Sequence, residues 1–193
     1  KQDAKLDMRM NTDGDLDASH IVNTYDEREI RDIIRQYGEE KWASRIASFI
    51  VKARENERIE RTGQLVEIIK AAIPAQARRD GPHPAKRTFQ ALRIAVNDEL
   101  GALKDSINGA VEILKPEGRL SIVTFHSLED RIVKDEFRIR EKPCTCPPSF
   151  PVCVCGKKPE LKVLTRKPVI PTNDELDRNP RSRSAKLRTA QRV

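Results

Sequence analysis

The sequence predicts an α/β protein in which an all-helical block precedes a strand-and-helix return. Two observations carry this prediction. Apolar residues recur every three or four positions through the first part of the chain. After Lys115-Pro116-Glu117-Gly118 the period changes, and the stretch GRLSIVTFHSLEDR begins as a β-branched run and ends in polar and ionisable side chains.

Taken in order, Asp17 is placed to cap a short helix over 18–24, and 26–36 carries Ile30, Ile33 and Ile34 at helical spacing until Gly38 breaks it. The next helix, 39–56, sets Trp42, Ile46, Phe49 and Ile50 on one face. Thr62 caps a further one through Leu65, Val66, Ile68, Ile69 and Ile73 up to Pro74. A loop, AQARRDGPHPAKR, has Gly81, Pro82 and Pro84 as breakers. One long helical pattern then runs over 85–114, with Gly101 and Gly109 as the positions expected to bend or divide it. Leu120, Ile122 and Val123 form a buried strand, expected to lie in a parallel sheet, and a helix follows from Ser127 to about Arg140. Two more strands are expected over 160–170 and 184–193. The last is read as a solvated tail or an edge strand with Lys186, Arg188 and Arg192 on one face.

Composition bounds the function. The chain has 193 residues, 35% of them charged, with a net charge of +7 and a pI near 9.4. That balance favours polyanionic partners such as nucleic acid, beside the plainer reading of a soluble surface. No apolar run reaches the length of a membrane span and no signal peptide opens the chain, so a cytoplasmic protein is expected. Opening at Lys1 without an initiator Met, it reads as part of something longer.

Residues just beyond the carboxyl end of a strand line the ligand crevice of open α/β sheets, which makes His126, Ser127 and Glu129 the candidate catalytic residues. The plainer reading is a helix start: Ser127 caps, Glu129 and Asp130 favour the dipole, and His126 bonds locally. Lys86, Gln90, Arg93 and Asn97 are spaced four, three and four apart along one helical stripe. Its cations suit phosphate and its amides suit base edges, although such a stripe is also the ordinary exterior of an amphipathic helix. Arg188 and the basic terminus around Arg181, Arg183 and Lys186 extend the candidate RNA surface. Cys144, Cys146, Cys153 and Cys155 form two C-x-C pairs in CTCPPSFPVCVCG; a structural zinc, free thiols and disulfides all stay open.

The motifs TFHSLEDRIVK, HPAKRTFQALRIAVNDEL, LDMRM, YGEEKWASRIA and RSRSAKLR occur in order across nearly the whole chain. In these the sequence resembles the ribosomal RNA small-subunit methyltransferase H family, RsmH or MraW. The resemblance implies an S-adenosylmethionine-dependent enzyme that methylates the exocyclic N4 amine of a cytosine in 16S ribosomal RNA of the small ribosomal subunit. It implies a partial Rossmann-like class I methyltransferase sheet plus an all-helical insert domain. Residues 1–16 are then a segment of the methyltransferase domain, 17–82 the insert that recognises substrate, and 83–193 the carboxyl-terminal part of the methyltransferase domain. The family's glycine-rich loop and its cofactor-contacting acidic residues lie upstream of LDMRM, so no cofactor-binding residue falls on this numbering. The chain alone is expected to be inactive. The alternative is a non-catalytic RNA-binding or assembly module.

Overall fold

The computed structural model describes residues 3–79, 83–147, 149–150 and 152–193. Gly81, Pro82 and the expected boundary at 82 lie outside the described residues. The chain divides into two compact units, Lys1–Glu99 and Leu100–Val193.

The first unit is helical: α1 (Ala18–Thr24), α2 (Glu27–Gly38), α3 (Ala43–Asn56), α4 (Thr62–Ala72) and α5 (Lys86–Asn97). Aspartates start the first two. Asp17 accepts from the His20 N–H at 2.6 Å, and Asp26 forms a reciprocal capping box with Glu29. The expected apolar faces converge, with Ile30, Ile34, Ile46, Ile50, Leu65, Ile69 and Leu92 fully buried in one core. Each such side chain contributes about 1.5–3 kcal/mol on leaving water. Residues before α1 belong to this unit too. Leu6 is fully buried in the core, and its N–H donates to the Glu60 carbonyl at 2.8 Å.

Three local expectations differ from the structure. Gly38 does not break α2 but is its last residue; the left-handed turn falls on Glu39, at φ 48°. Glycine is required at 38 by packing, because a Cβ there would meet the Arg87 carbonyl oxygen at 2.7 Å. Thr62 is the first residue of α4 rather than its cap. The Gly63 N–H instead donates to Asp3 Oδ1 at 2.7 Å, a partner sixty positions away that sequence spacing does not reveal. The long pattern over 85–114 is two helices, α5 and α6 (Glu99–Ile113), divided at neither Gly101 nor Gly109. Asp98 adopts φ 45° between them, a conformation that aspartate tolerates better than most residues.

The second unit is a three-stranded antiparallel sheet with helices on one face. Its strands β1 (Arg119–Thr124), β2 (Leu161–Val163) and β3 (Lys186–Arg192) lie in the order β1-β3-β2. Helix α7 (Ser127–Glu141) follows β1, and the short α8 (Asn173–Arg178), absent from the sequence expectation, precedes β3. Ile107 and Val111 of α6, Val133 and Phe137 of α7, Leu161 and Ala190 form the core.

Four readings change in this unit. β1 is half-buried, with Leu120, Ile122 and Thr124 inward and Val123 half-exposed on the other face. Its partner is β3, in the antiparallel sense, with Leu120 opposite Ala190. β3 is the central strand, not an edge or a tail. The strand expected over 160–170 is three residues plus an isolated bridge at Val169, because Thr165 turns its hydroxyl into the ladder and accepts from the Thr189 N–H at 2.8 Å.

Candidate functional site

The turn from β1 into α7 is built by His126 and Glu129. His126, extended at φ −142°, is the N-cap, and its Nδ1 accepts from the Glu129 N–H at 3.3 Å. The Glu129 carboxylate reaches back to the N–H of Phe125 at 2.7 Å and of His126 at 3.2 Å. This is a capping box with imidazole in the place of a hydroxyl. Acceptance at Nδ1 puts the proton of a neutral ring on Nε2, which lies 3.2 Å from Glu129 Oε1 without the alignment of a hydrogen bond. Burial pushes the Glu129 carboxyl up, but hydrogen bonds from His126 and the Phe125 backbone outweigh it and hold the group below its ordinary value. Glu129 is therefore a carboxylate at neutral pH, not an acid with a proton to give. Ser127 is the first residue of α7, and Phe125 is 55% exposed at the strand's end.

One turn on, Asp130 is buried, and Arg188 of β3 grips it from Nε at 2.6 Å and Nη2 at 3.1 Å, with Lys186 Nζ at 3.4 Å. The Arg188 guanidinium holds the Asp130 carboxyl below its ordinary value against the opposing effect of burial. Arg188 is only 6% exposed. The expected phosphate contact is instead an internal clamp, because the guanidinium sits between β3 and α7 with its carboxylate already supplied.

Three of the four side chains of the α5 stripe are engaged within the protein. Gln90 Nε2 donates to the Tyr37 carbonyl at 3.2 Å, and Arg93 makes a two-pronged bond to Glu99 at 2.6 and 2.9 Å. Asn97 donates to the Met8 carbonyl at 2.9 Å and accepts from the Met10 N–H at 2.7 Å, fixing the segment that precedes α1. Lys86 is exposed, and the Arg93 side chain, 41% exposed, meets its partner at the surface. Sequence spacing finds the stripe but not its occupants, since the acceptors of Gln90 and Asn97 are carbonyls of α2 and of the segment before α1, and that of Arg93 is the Glu99 carboxylate. Exposed cations that the stripe left out, Arg78, Arg79 and Arg87, flank the same loop as Lys86.

The four cysteines come together. Cys153 Sγ lies 3.4 Å from Cys144, 3.8 Å from Cys146 and 3.4 Å from Cys155, and all four sulfurs fall within 4.8 Å of one another. None is in a disulfide.

At this turn the Glu129 N–H of α7 is taken by His126, and the N–H groups of Phe125 and His126, just before the helix, are taken by the Glu129 carboxylate. No two glycines in the sequence come within three positions of each other, so the turn lacks the glycine-rich form of a dinucleotide-binding loop. No helix among the described residues is long and apolar enough to cross a membrane.

The MraW methylase family model matches residues 1–193. The chain is 60% identical over 193 residues to "Ribosomal RNA small subunit methyltransferase H" of Ruminiclostridium cellulolyticum, covering 100% of this chain and 62% of that protein. The protein of the same name from Acetivibrio thermocellus is 64% identical over 192 residues, 100% of this chain and 61% of its own length. That of Symbiobacterium thermophilum is 64% identical over 186 residues, 96% and 58%. The chain thus spans about three-fifths of the length of these curated relatives.

Proposed function

We propose a function from one established premise: this chain belongs to the MraW methylase family. The reading is methylation of small-subunit ribosomal RNA by the whole protein, with S-adenosylmethionine as methyl donor and the N4 amine of a 16S cytosine as acceptor. The observation that carries it is the end-to-end match at about 60% identity with proteins named for that substrate. Methyl transfer asks little covalent chemistry of the protein, because the sulfonium carries its own leaving group; the work is alignment and exclusion of water. In this reading the cofactor's cradle is supplied by parts of the whole protein outside these residues.

The second unit supports a Rossmann-like parent. Helices α6 and α7 share a core with one face of its sheet, β1 has a partner on one side only among the described residues, and Val123 and Phe125 are 52% and 55% exposed. In a doubly wound sheet both faces are covered and interior strands are paired on both edges. The remaining two-fifths of the family protein would supply those layers together with the glycine-rich cofactor turn. In this reading the helical unit is the insert that meets RNA, through Arg78, Arg79 and Lys86, while Gln90, Arg93, Asn97 and Arg188 hold the fold.

Transfer of labelled methyl from S-adenosylmethionine to small subunits, followed by nucleoside analysis, tests this. The whole protein should yield N4-methylated cytidine and the 193-residue chain none. Methyl on a carbon of the base, or on large-subunit RNA, overturns the assignment. Filter binding of decoding-region RNA by the chain then tests the surface. If Arg79 and Lys86 each neutralise one phosphate, Arg79→Ala or Lys86→Ala should lower the log-log salt slope by roughly 0.7. An unchanged slope overturns those pairings, and tight sequence-selective binding without any cofactor would favour the RNA-binding or assembly module.

A further inference from the structure

The segment between α7 and β2 is held in an unusual way. From Lys142 to Glu160 none of the described residues is buried, and Phe150, Val152 and Val154 are 50%, 70% and 72% exposed. The ends are fixed: the Lys142 N–H donates to the Arg138 carbonyl and the Glu160 N–H to the Arg140 carbonyl, each at 2.9 Å. Between them a chain of this length has considerable conformational entropy to lose and no apolar core to offset it. What converges instead is sulfur.

The geometry of that convergence separates the three states open to four cysteines. A disulfide joins one sulfur to one other at about 2.0 Å. Here Cys153 has three sulfur neighbours at 3.4–3.8 Å, a hub that pairwise bonding does not produce. Free thiols have no reason to gather, since the S–H···S contact is weak and thiols on an exposed loop are as well solvated apart. Four thiolates on one tetrahedral ion, with bonds of about 2.3 Å, stand about 3.8 Å from each other. The separations from Cys153 lie at or slightly below that value, and all four sulfurs stay within 4.8 Å of one another. The Val154 N–H also donates to Cys146 Sγ at 3.4 Å, the kind of contact that stabilises sulfur carrying negative charge. Gly156, at φ 66° with open space around it, turns the chain directly after Cys155, where a side chain would strain the backbone.

We propose that Cys144, Cys146, Cys153 and Cys155 bind one Zn²⁺ ion, which orders the loop between α7 and β2. Four S–H bonds are broken as four Zn–S bonds form, the four protons pass to solvent, and the centre carries a net charge of −2. Lys142, Lys157 and Lys158 border it in sequence and offset that charge. The ion is structural: with sulfur at all four positions no place is left for a reacting water. The proposal goes beyond RNA methylation and does not depend on it.

The test is metal content of the full chain, purified reduced without chelator, incubated with Zn²⁺ and desalted. About one zinc per chain is expected, with all four thiols shielded from a disulfide reagent until the metal is withdrawn. Replacement by Co²⁺ should give the intense visible bands of a tetrahedral site and a thiolate-to-cobalt band in the near ultraviolet. Cys153→Ser with Cys155→Ser should lower retained zinc roughly tenfold or more while leaving Trp42 fluorescence, which reports the helical unit, unchanged. Four reactive thiols with negligible zinc, an intact mass short of the hydrogens of a disulfide, or iron in place of zinc overturns the proposal. So does full zinc retention by the double variant.

Discussion

The helical unit and the sheet unit are of similar length but are held together differently. Among the described residues, seventeen buried apolar residues form one cluster in the first and six in the second. The second unit compensates with polar locks: the Asp130–Arg188 clamp, the Arg140 pairing with Glu136 and Asn108, and the cysteine cluster. A small core leaves each polar contact a larger share of the stability. The lesson is about where a mutation hurts. In the first unit it should be at methylenes, and in the second at charges.

The largest effect expected is therefore at Arg188. Arg188→Ala leaves the buried Asp130 carboxylate with the longer Lys186 contact alone and should destabilise the sheet unit by about 3–5 kcal/mol. Loss of amide-exchange protection in β3 would measure it. The same pair sets a pH dependence. Asp130 has a lowered value in the folded state, so the clamp's contribution is complete above the unfolded carboxyl value near about 3.9 and is lost as pH falls through the lower folded value. Acid should loosen β3 in that window, and the dependence should shrink in Arg188→Ala, where Lys186 is the remaining partner. A loss of less than about 1 kcal/mol would erase the contrast between the units, because that is the range of an exposed pair.

Next in size is the apolar counterpart. Ile46→Ala in the helical core should cost about 2–5 kcal/mol, from lost transfer energy and the cavity left behind. The single Trp and both Tyr residues, Trp42, Tyr25 and Tyr37, lie in this unit, so intrinsic fluorescence during urea unfolding reports it alone. Asn97→Ala, which frees the Met8 carbonyl and the Met10 N–H, should cost less, about 1–3 kcal/mol in the same melt. If Asn97→Ala exceeds Ile46→Ala, the first unit also depends on polar locks and the comparison fails.

How much of this was legible in sequence follows the same division. The apolar period located α2 to α4 and the residues of their core, because burial of one helical face leaves a local trace. Asp17 marked α1 as a local cap and the change of period marked the β1–α7 junction, whereas Asp26, the cap of α2, was read as part of its helix. The inward turn of Gln90, Asn97 and Arg188 was not. Each is satisfied by an atom distant in sequence, and a polar residue that faces a buried partner has the same spacing as one that faces water. The break at Asp98 was hidden because the apolar period continues across it and the nearby glycines drew attention away. The four cysteines were legible as a set, but their convergence on one point required coordinates.

The smallest effect is at His126, and it bears on the chemistry most directly. As the N-cap of α7 its imidazole accepts one N–H, so His126→Ala should cost about 0.5–2 kcal/mol in the sheet unit. His126→Ser restores a capping oxygen and should recover most of that loss. Methyl transfer by the whole protein then divides the two roles. If His126→Ser restores both stability and transfer, the residue positions the β1–α7 turn and its neighbours Phe125 and Ser127. If stability returns and transfer does not, the imidazole itself takes part, and the pH–rate profile of the serine variant should lose a limb that the native profile has. The capping geometry favours the first outcome, since Nδ1 is occupied as an acceptor and Nε2 is buried against the Glu129 carboxylate rather than open to a substrate.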